Sequence, residues 1–340
     1  MDIALVAPSP VPYQVGGAER LLTGLEHALS ALGHRVEQIK LPVREHTLAD
    51  LLDAYHQFAV LDLSHFDVVI SGKYPAWMVE HPRHAVWMLH PLRGLYEKYP
   101  TARFVDVSIA PSHEWDRLAG LLDRPTAAAD PLEIIDAAQA LVAIHEPDDP
   151  AVGLPGPVAR TVVQRLDEIA LDRTRIRNHT AISATVARRP GYFPVETRPR
   201  IAHPPSNLAV VPPSSTQGVS TTAPALFVAP GRLDRAKRLD LIADAFGRTT
   251  GDHRLLVVGD GPERSAIAER IAGDDRIELT GAVDDTELAE LYRDATAVIF
   301  TPEDEDYGFV TAEAFAHDTP VITTTDSCLL YTSDAADEDC

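Results

Sequence analysis

TPEDEDYGFVTAEAFAHDTPVITT, residues 301–324, is the stretch on which the reading of this chain turns. An apolar, β-branched run from Ala297 to Phe300 precedes it and reads as a buried strand. The stretch then passes through an acidic loop, enters a run with helical character and ends in a second buried strand, Val321 to Thr323. Glu305 and Glu313 are separated by seven residues. By charge alone, Glu303, Asp304, Glu305 and Asp306 form a solvated surface turn. If Glu305 sits on the loop and Glu313 in the following helix, however, the two carboxylates bracket backbone N–H groups that can face an anion.

Upstream, Ala225 to Ala229 reads as an apolar strand leading into PGRLDRAKRLDLIADAF, residues 230–246. Arg232 and Lys237 flank its loop, and Leu239, Leu241, Ile242, Ala245 and Phe246 fall on one side of the helix that follows. Two cations at a strand end and helix start suit a diphosphate; they equally suit an exposed helix terminus. Next come a strand at Leu255 to Val258, the turn GDGPER, a helix from about Arg264 to Ala272, a strand at Ile277 to Leu279 and a helix at Asp285 to Ala295.

The N-terminal half repeats this alternation. Ile3 to Ala7 is a strand, PSPVPYQVGGAER a loop, and Leu21, Leu22, Leu25, Ala28, Leu29 and Leu32 recur at helical spacing before Gly33, a natural helix stop. Strands follow at Arg35 to Leu41, Asp67 to Ser71 and Ala85 to Leu89, with a helix near Thr47 to Ala59. Gly16 and Gly17 would let backbone N–H groups approach an anion, or simply allow a tight connection. His90 ends a strand, where open α/β sheets bind ligands, although a lone histidine is more often structural. The region 101–175 reads as Pro-broken helices, such as Leu132 to Ile144 and Val158 to Leu171, and does not reveal what it binds. Residues 201–224, rich in Pro, Ser and Thr, read as a linker.

Together these segments resemble the retaining family 4 glycosyltransferases of GT-B fold. That family's E-x-F-G-x-x-x-x-E-A-M-A-x-G-x-P-V-I stands here as E-D-Y-G-F-V-T-A-E-A-F-A-H-D-T-P-V-I, with Asp318 replacing a glycine in a turn expected to need positive φ. G-R-x-x-x-x-K, G-D-G-P-E, G-G-A-E-R and the segment VWMLHPLRGLYE also match the family, in the expected order, as does RNHTAISATVARR with Ser183 at its strand–helix junction. The resemblance covers residues 1 to about 100 and 175–327.

It implies an α/β protein with two Rossmann-like domains facing each other across a cleft: an acceptor-side domain at 1–200, the linker at 201–224 and a nucleotide-sugar-binding domain at 225–327. CLLYTSDAADE resembles translated sequencing-adapter read-through, so residues 328–340 are expected to be non-native and the second domain incomplete. The implied reaction is retaining transfer of a hexosyl group from a nucleoside diphosphate sugar to a sugar, glycan or lipid-linked acceptor. The resemblance assigns His90, Arg232, Lys237 and Glu305 to the chemistry. It assigns Gly16, Gly17, Gly259, Gly261, Gly308, Phe309, Val310 and Glu313 to the donor, with Glu313 on the ribose. Arg93 and Tyr96 are further candidates for acceptor contacts. No metal and no cofactor beyond the donor are expected. The alternatives are a GT-B sugar-nucleotide epimerase, which needs no acceptor, and an inactive fragment. A dehydrogenase would need the G-x-G-x-x-G fingerprint that the first loop lacks.

Composition limits the other classes. At 340 residues with 45% hydrophobic side chains the chain can build two cores, and no run of 18 apolar residues or basic leader is present, so a soluble cytoplasmic protein is expected, with peripheral membrane contact allowed. A net charge of -21 disfavours extended contact with nucleic acid. Both cysteines, Cys328 and Cys340, lie in the expected non-native tail, so no disulfide framework is implied.

Overall fold

Asp2–Pro10 forms the strand (β1) around which the first sheet is laid. Ile3 to Ala7 are all buried, as expected of a parallel strand covered on both faces. The computed structural model describes residues 1–11, 17–205, 208, 211 and 224–324; Gly16, most of the 201–224 linker and the 328–340 tail lie outside them. The chain divides into two units, residues 1–205 and 206–340.

In the first unit, β1 is followed by α1 (Gly17–Ala31), β2 (Arg35–Val43), α2 (Leu48–Ala59), β3 (Val68–Lys73) and β4 (His84–His90). Then come α3 (His113–Leu122), α4 (Pro131–Val142), α5 (Pro157–Ala170), β5 (Asn178–Ala181), α6 (Ala184–Arg188) and β6 (Arg200–Ile201). The strands are parallel in the order β2-β1-β3-β4-β5-β6. Because the chain moves from β1 to β2 on one side and on to β3 on the other, the topological switch lies between β1 and β3, where open α/β sheets place their ligands. Helix starts are set by local chemistry: Thr47 and Asp50 form a capping box, and Ser112, Asp130 and Ser183 cap α3, α4 and α6.

Several sequence expectations shift here. β1 continues through Pro8 and Pro10, because its pairing with β3 ends at Val6 while that with β2 runs to Pro10, so missing N–H groups on one edge cost no ladder bond. Helix α1 stops at Ala31, and Leu32 is 74% exposed; Gly33, at φ 84°, turns the chain out of the helix before Leu32 can join the buried face.

The second unit comprises β7 (Leu226–Pro230), α7 (Leu239–Gly247), β8 (Arg254–Val258), α8 (Arg264–Ile271), β9 (Ile277–Gly281), α9 (Asp285–Asp294), β10 (Ala297–Ile299), α10 (Phe309–Ala316) and β11 (Val321–Ile322). Its parallel order is β11-β10-β7-β8-β9. Numbered from β7, this is the 3-2-1-4-5 Rossmann arrangement, with the switch between β7 and β10. On α7 the buried residues are Leu239, Ile242, Ala243 and Phe246; Leu241 and Ala245, expected on that side, are exposed. The helix begins only at Leu239, and Leu239, Ile242, Ala243 and Phe246 follow the i, i+3, i+4, i+7 stripe, which leaves Leu241 outside it. No helix among the described residues is long and apolar enough to cross a membrane.

Candidate functional site

In the second unit, three loops at the carboxyl ends of adjacent strands are tied into one surface. After β7, Asp234 accepts from the Lys237 backbone N–H and closes a single 3-10 turn at Arg235–Lys237. Arg238 then takes a left-handed conformation (φ 49°) and donates from Nε to the Thr301 carbonyl at 3.0 Å. The Glu303 N–H donates to the Ala236 carbonyl at 2.7 Å, so the loops after β7 and β10 are joined through their backbones. The consequence is a direct contact: Lys237 Nζ lies 2.6 Å from Glu305 Oε2, with both side chains mostly covered. Lys237 Nζ also sits 5.3 Å from the centre of the Phe300 ring. This pair occupies the switch point between β7 and β10.

The loop after β8 joins the same surface. Leu233 N–H donates to the Asp260 carbonyl at 3.0 Å, and Glu263 N–H to the Leu233 carbonyl at 2.9 Å. A Cβ on Gly259 would stand 2.0 Å from the Gly231 carbonyl oxygen, and one on Gly261 2.5 Å from that of Leu233. Both positions therefore need glycine for loop-on-loop packing, whatever they bind. Arg232, half exposed, has its Nε 3.9 Å from Asp234 Oδ2.

The loop after β10 ends at Gly308 (φ 81°), which turns the chain into α10. Asp318 at the other end has φ 58°, the left-handed turn anticipated for it. The two glutamates are not equivalent. Glu305 faces Lys237 on the loop, whereas Glu313 is buried, its Oε2 accepting from the Tyr292 hydroxyl at 3.0 Å in the α9–α10 interface. Phe309 and Val310 form the first turn of α10, Val310 against the apolar cluster around Val298 and Phe300.

In the first unit, Gly17 opens α1 at an exposed position. His90 closes β4 in register with Lys73 at the end of β3. Its Nδ1 is 2.8 Å from the Pro91 carbonyl, which can only accept, so Nδ1 carries the proton and Nε2 is an acceptor. Burial, then the Lys73 and Arg93 cations, lower its pKa to about 4, so the ring is neutral at pH 7. Arg93 pairs with Glu97, whose other oxygen accepts from the Tyr192 hydroxyl at 3.0 Å; Arg189 Nη1 lies 3.9 Å away. Tyr96, expected among acceptor contacts, turns inward, and its hydroxyl donates to Asp167 at 2.7 Å.

Asp167, on α5, escaped the sequence reading. It is 1% exposed and accepts from Tyr55 Oη (2.7 Å) and Trp77 Nε1 (2.8 Å) on one oxygen and Tyr96 Oη (2.7 Å) on the other. Burial raises its pKa to about 6 against the opposing effect of these three donors. Trp77 lies just beyond β3 and Tyr96 just beyond β4, so this carboxylate ties both strand-end loops to the helices beneath them. A signal existed: Asp167 falls four residues after Val163 and three before Ala170, on the apolar stripe of an otherwise amphipathic helix. Among the described residues no group of three or more His, Cys, Asp or Glu side chains is arranged to hold a metal ion.

Residues 224–331 match the family model described as Glycosyl transferases group 1. No curated protein sequence matches the chain. Among solved structures, the chain is similar to the lipopolysaccharide outer core galactosyltransferase WaaB in its apo form, at 16% identity over 95% of this chain and 80% of that one, with a TM-score of 0.52. It is similar to Anabaena HepE in complex with UDP and glucose, at 12% identity over 97% of this chain and 82% of that one, TM-score 0.55. The HepE complex with UDP-glucose gives 11% identity over the same shares and 0.56. At these identities the likeness establishes the fold, two Rossmann-like α/β domains of GT-B type.

Proposed function

We propose that this protein is a glycosyltransferase that moves a hexosyl group from a nucleoside diphosphate sugar to a sugar, glycan or lipid-linked acceptor, with retention at the anomeric carbon and without a metal. The observation that carries this reading is the Lys237–Glu305 pair on the carboxyl edge of the second sheet, at its switch point. A diphosphate entering there would draw the ammonium, while Glu305 exchanges a cation for sugar hydroxyls. The family match over 224–331 and the UDP-glucose carried by HepE support the same substrate class.

In this reading the acceptor oxygen attacks the anomeric carbon on the face from which the diphosphate departs, and its proton passes to a phosphate oxygen. Lys237 and Arg232 neutralise the charge that grows on the leaving diphosphate. Gly308, Phe309 and Val310 would present the N-terminal N–H groups of α10 to the same phosphates, and the donor role of Gly16 and Gly17 rests on the family resemblance. Glu313, its carboxylate fixed by Tyr292, would accept a ribose hydroxyl, and neutral His90 would accept a hydrogen bond from the sugar through Nε2. Gly259 and Gly261 would act by keeping the β8 loop close to the donor loop. The family 4 assignment, a place in glycan biosynthesis and a cytoplasmic location belong to the same proposal.

The test incubates the protein with UDP-, GDP- and ADP-hexoses and follows the released or transferred sugar by proton NMR. Release of the nucleoside diphosphate with a product of unchanged anomeric configuration is expected. Failure to bind or turn over every donor would remove the proposal; an inverted product would remove its stereochemical half.

A further inference from the structure

The first unit gathers cationic side chains at the carboxyl ends of β3 and β4 in a chain whose net charge is -21. Around His90, at the carboxyl ends of β3 and β4, stand Lys73 and Arg93, with Arg189 beyond Glu97. Two nearby carboxylates have other partners. Glu97 takes Arg93 and Tyr192, and Glu45 takes the Tyr74 hydroxyl. Lys73 differs from the arginines: its ammonium lies 5.4 Å from the Tyr74 ring centre and pairs with no carboxylate among the described residues. An ammonium with no carboxylate partner, at a strand end beside a histidine that burial keeps neutral, can take an anion as its partner.

The edge is also held in place from below. Trp77 and Tyr96, on the loops that follow Lys73 and His90, are both fixed on buried Asp167, so the charges are set before any ligand arrives.

We propose that Lys73 and Arg93, with His90 beside them, form a subsite for an oxyanion on the acceptor, a phosphoryl or carboxylate group, so that the acceptor is an anionic sugar or glycan rather than a neutral one. This rests on the glycosyl-transfer reading for the word acceptor, but the subsite is testable without it. A Lys ammonium supplies a point charge and an Arg a planar pair of donors, a combination that takes either phosphate or carboxylate.

The experiment uses the full chain labelled with 15N-histidine. The His90 ring is titrated by NMR alone and with inorganic phosphate, glucose 6-phosphate, glucuronate, glucose or chloride. An anion within reach of the ring should raise the His90 pKa by about one unit or more. The rise is expected with glucose 6-phosphate or glucuronate and absent with glucose, and whichever anion gives it identifies the group. His84, buried and held by Ser71 and Val79, serves as the unmoved reference. Lys73→Met keeps the aliphatic stem over Tyr74, and should abolish the rise; Lys73→Arg should restore it. No rise with either sugar acid, an equal rise with chloride, or an undiminished rise in Lys73→Met overturns the proposal. Donor turnover is a separate measurement, so a chain that shifts His90 yet turns over no nucleotide sugar would retain the subsite and lose only the transfer reading.

Discussion

In the second unit the loops after β7, β8 and β10 are bound to one another at the surface, by backbone hydrogen bonds, by glycines that leave no room for a Cβ, and by the Lys237–Glu305 pair. In the first unit the loops after β3 and β4 are bound instead from beneath, through Trp77 and Tyr96, to one buried carboxylate. In both sheets these loops follow the carboxyl ends of parallel strands. The difference lies in what each edge can give up. The partly exposed Lys237–Glu305 pair can exchange its partner, whereas the Asp167 network cannot open without stranding three buried donors. The second unit's contact is therefore the easier to exchange, and the first unit's the harder.

The largest expected effect tests the exchangeable pair. Lys237→Ala should lower turnover by about 100- to 1000-fold, with little change in acceptor KM, because the charge matters most as the diphosphate leaves. A raised KM with turnover unchanged in steady-state kinetics would make Lys237 a binding residue only. Next, Gly259→Ala places a methyl group 2.0 Å from a carbonyl oxygen at a residue with φ 133°. It should destabilise the second unit by about 3 kcal/mol or more. Amide exchange should accelerate in β7 and β8 and stay unchanged in β1 and β3; uniform acceleration would contradict the separation of the two units.

A pH series sharpens the contrast from the other side. Asp167 has a pKa of about 6 in the folded chain against an ordinary 3.8, so the native state binds more protons between these values and this group's contribution to stability falls as pH rises through them. His84, lowered to about 4 from 6.5, acts in the opposite sense: the unfolded state binds more protons, and stability rises with pH across that window. His90, also lowered to about 4, acts in the same sense as His84, so both histidines oppose Asp167 between pH 4 and 6. Asp167→Asn removes the carboxyl's contribution and retains an acceptor for Tyr55 and Trp77. The variant's stability should climb from pH 4 to 6 more steeply than the parent's, by up to about 3 kcal/mol over the window, in urea titrations. Parallel curves would show that Asp167 does not titrate there. The smallest effect concerns Asp318, whose φ of 58° costs an L-residue what it would not cost glycine. Asp318→Gly should raise stability by less than about 1 kcal/mol, read as a small increase in Tm.

Much of the second unit was legible because its site is local. Arg232 and Lys237 lie on one loop, Glu305 and Glu313 flank another, and the apolar strands between them mark their own boundaries. Side-chain partners were not legible. Nothing in the spacing of Glu305 and Glu313 says that one meets Lys237 and the other Tyr292. In the first unit, His90 could be placed at a strand end, but the inward turn of Tyr96 could not be foreseen, since its partner lies 71 residues away on a helix in the region that resisted reading.

The sequence alone determined the alternation of strands and helices, the glycine and aspartate turns and the loops that carry charge, because each depends on periodicity or on the φ preference of single residues. Only the tertiary structure decided which charges meet and which are buried. Strand order brings β10 beside β7, and with it Glu305 to Lys237, while helix packing closes Asp167 away from water; both are contacts between distant segments, on which local preferences have no hold.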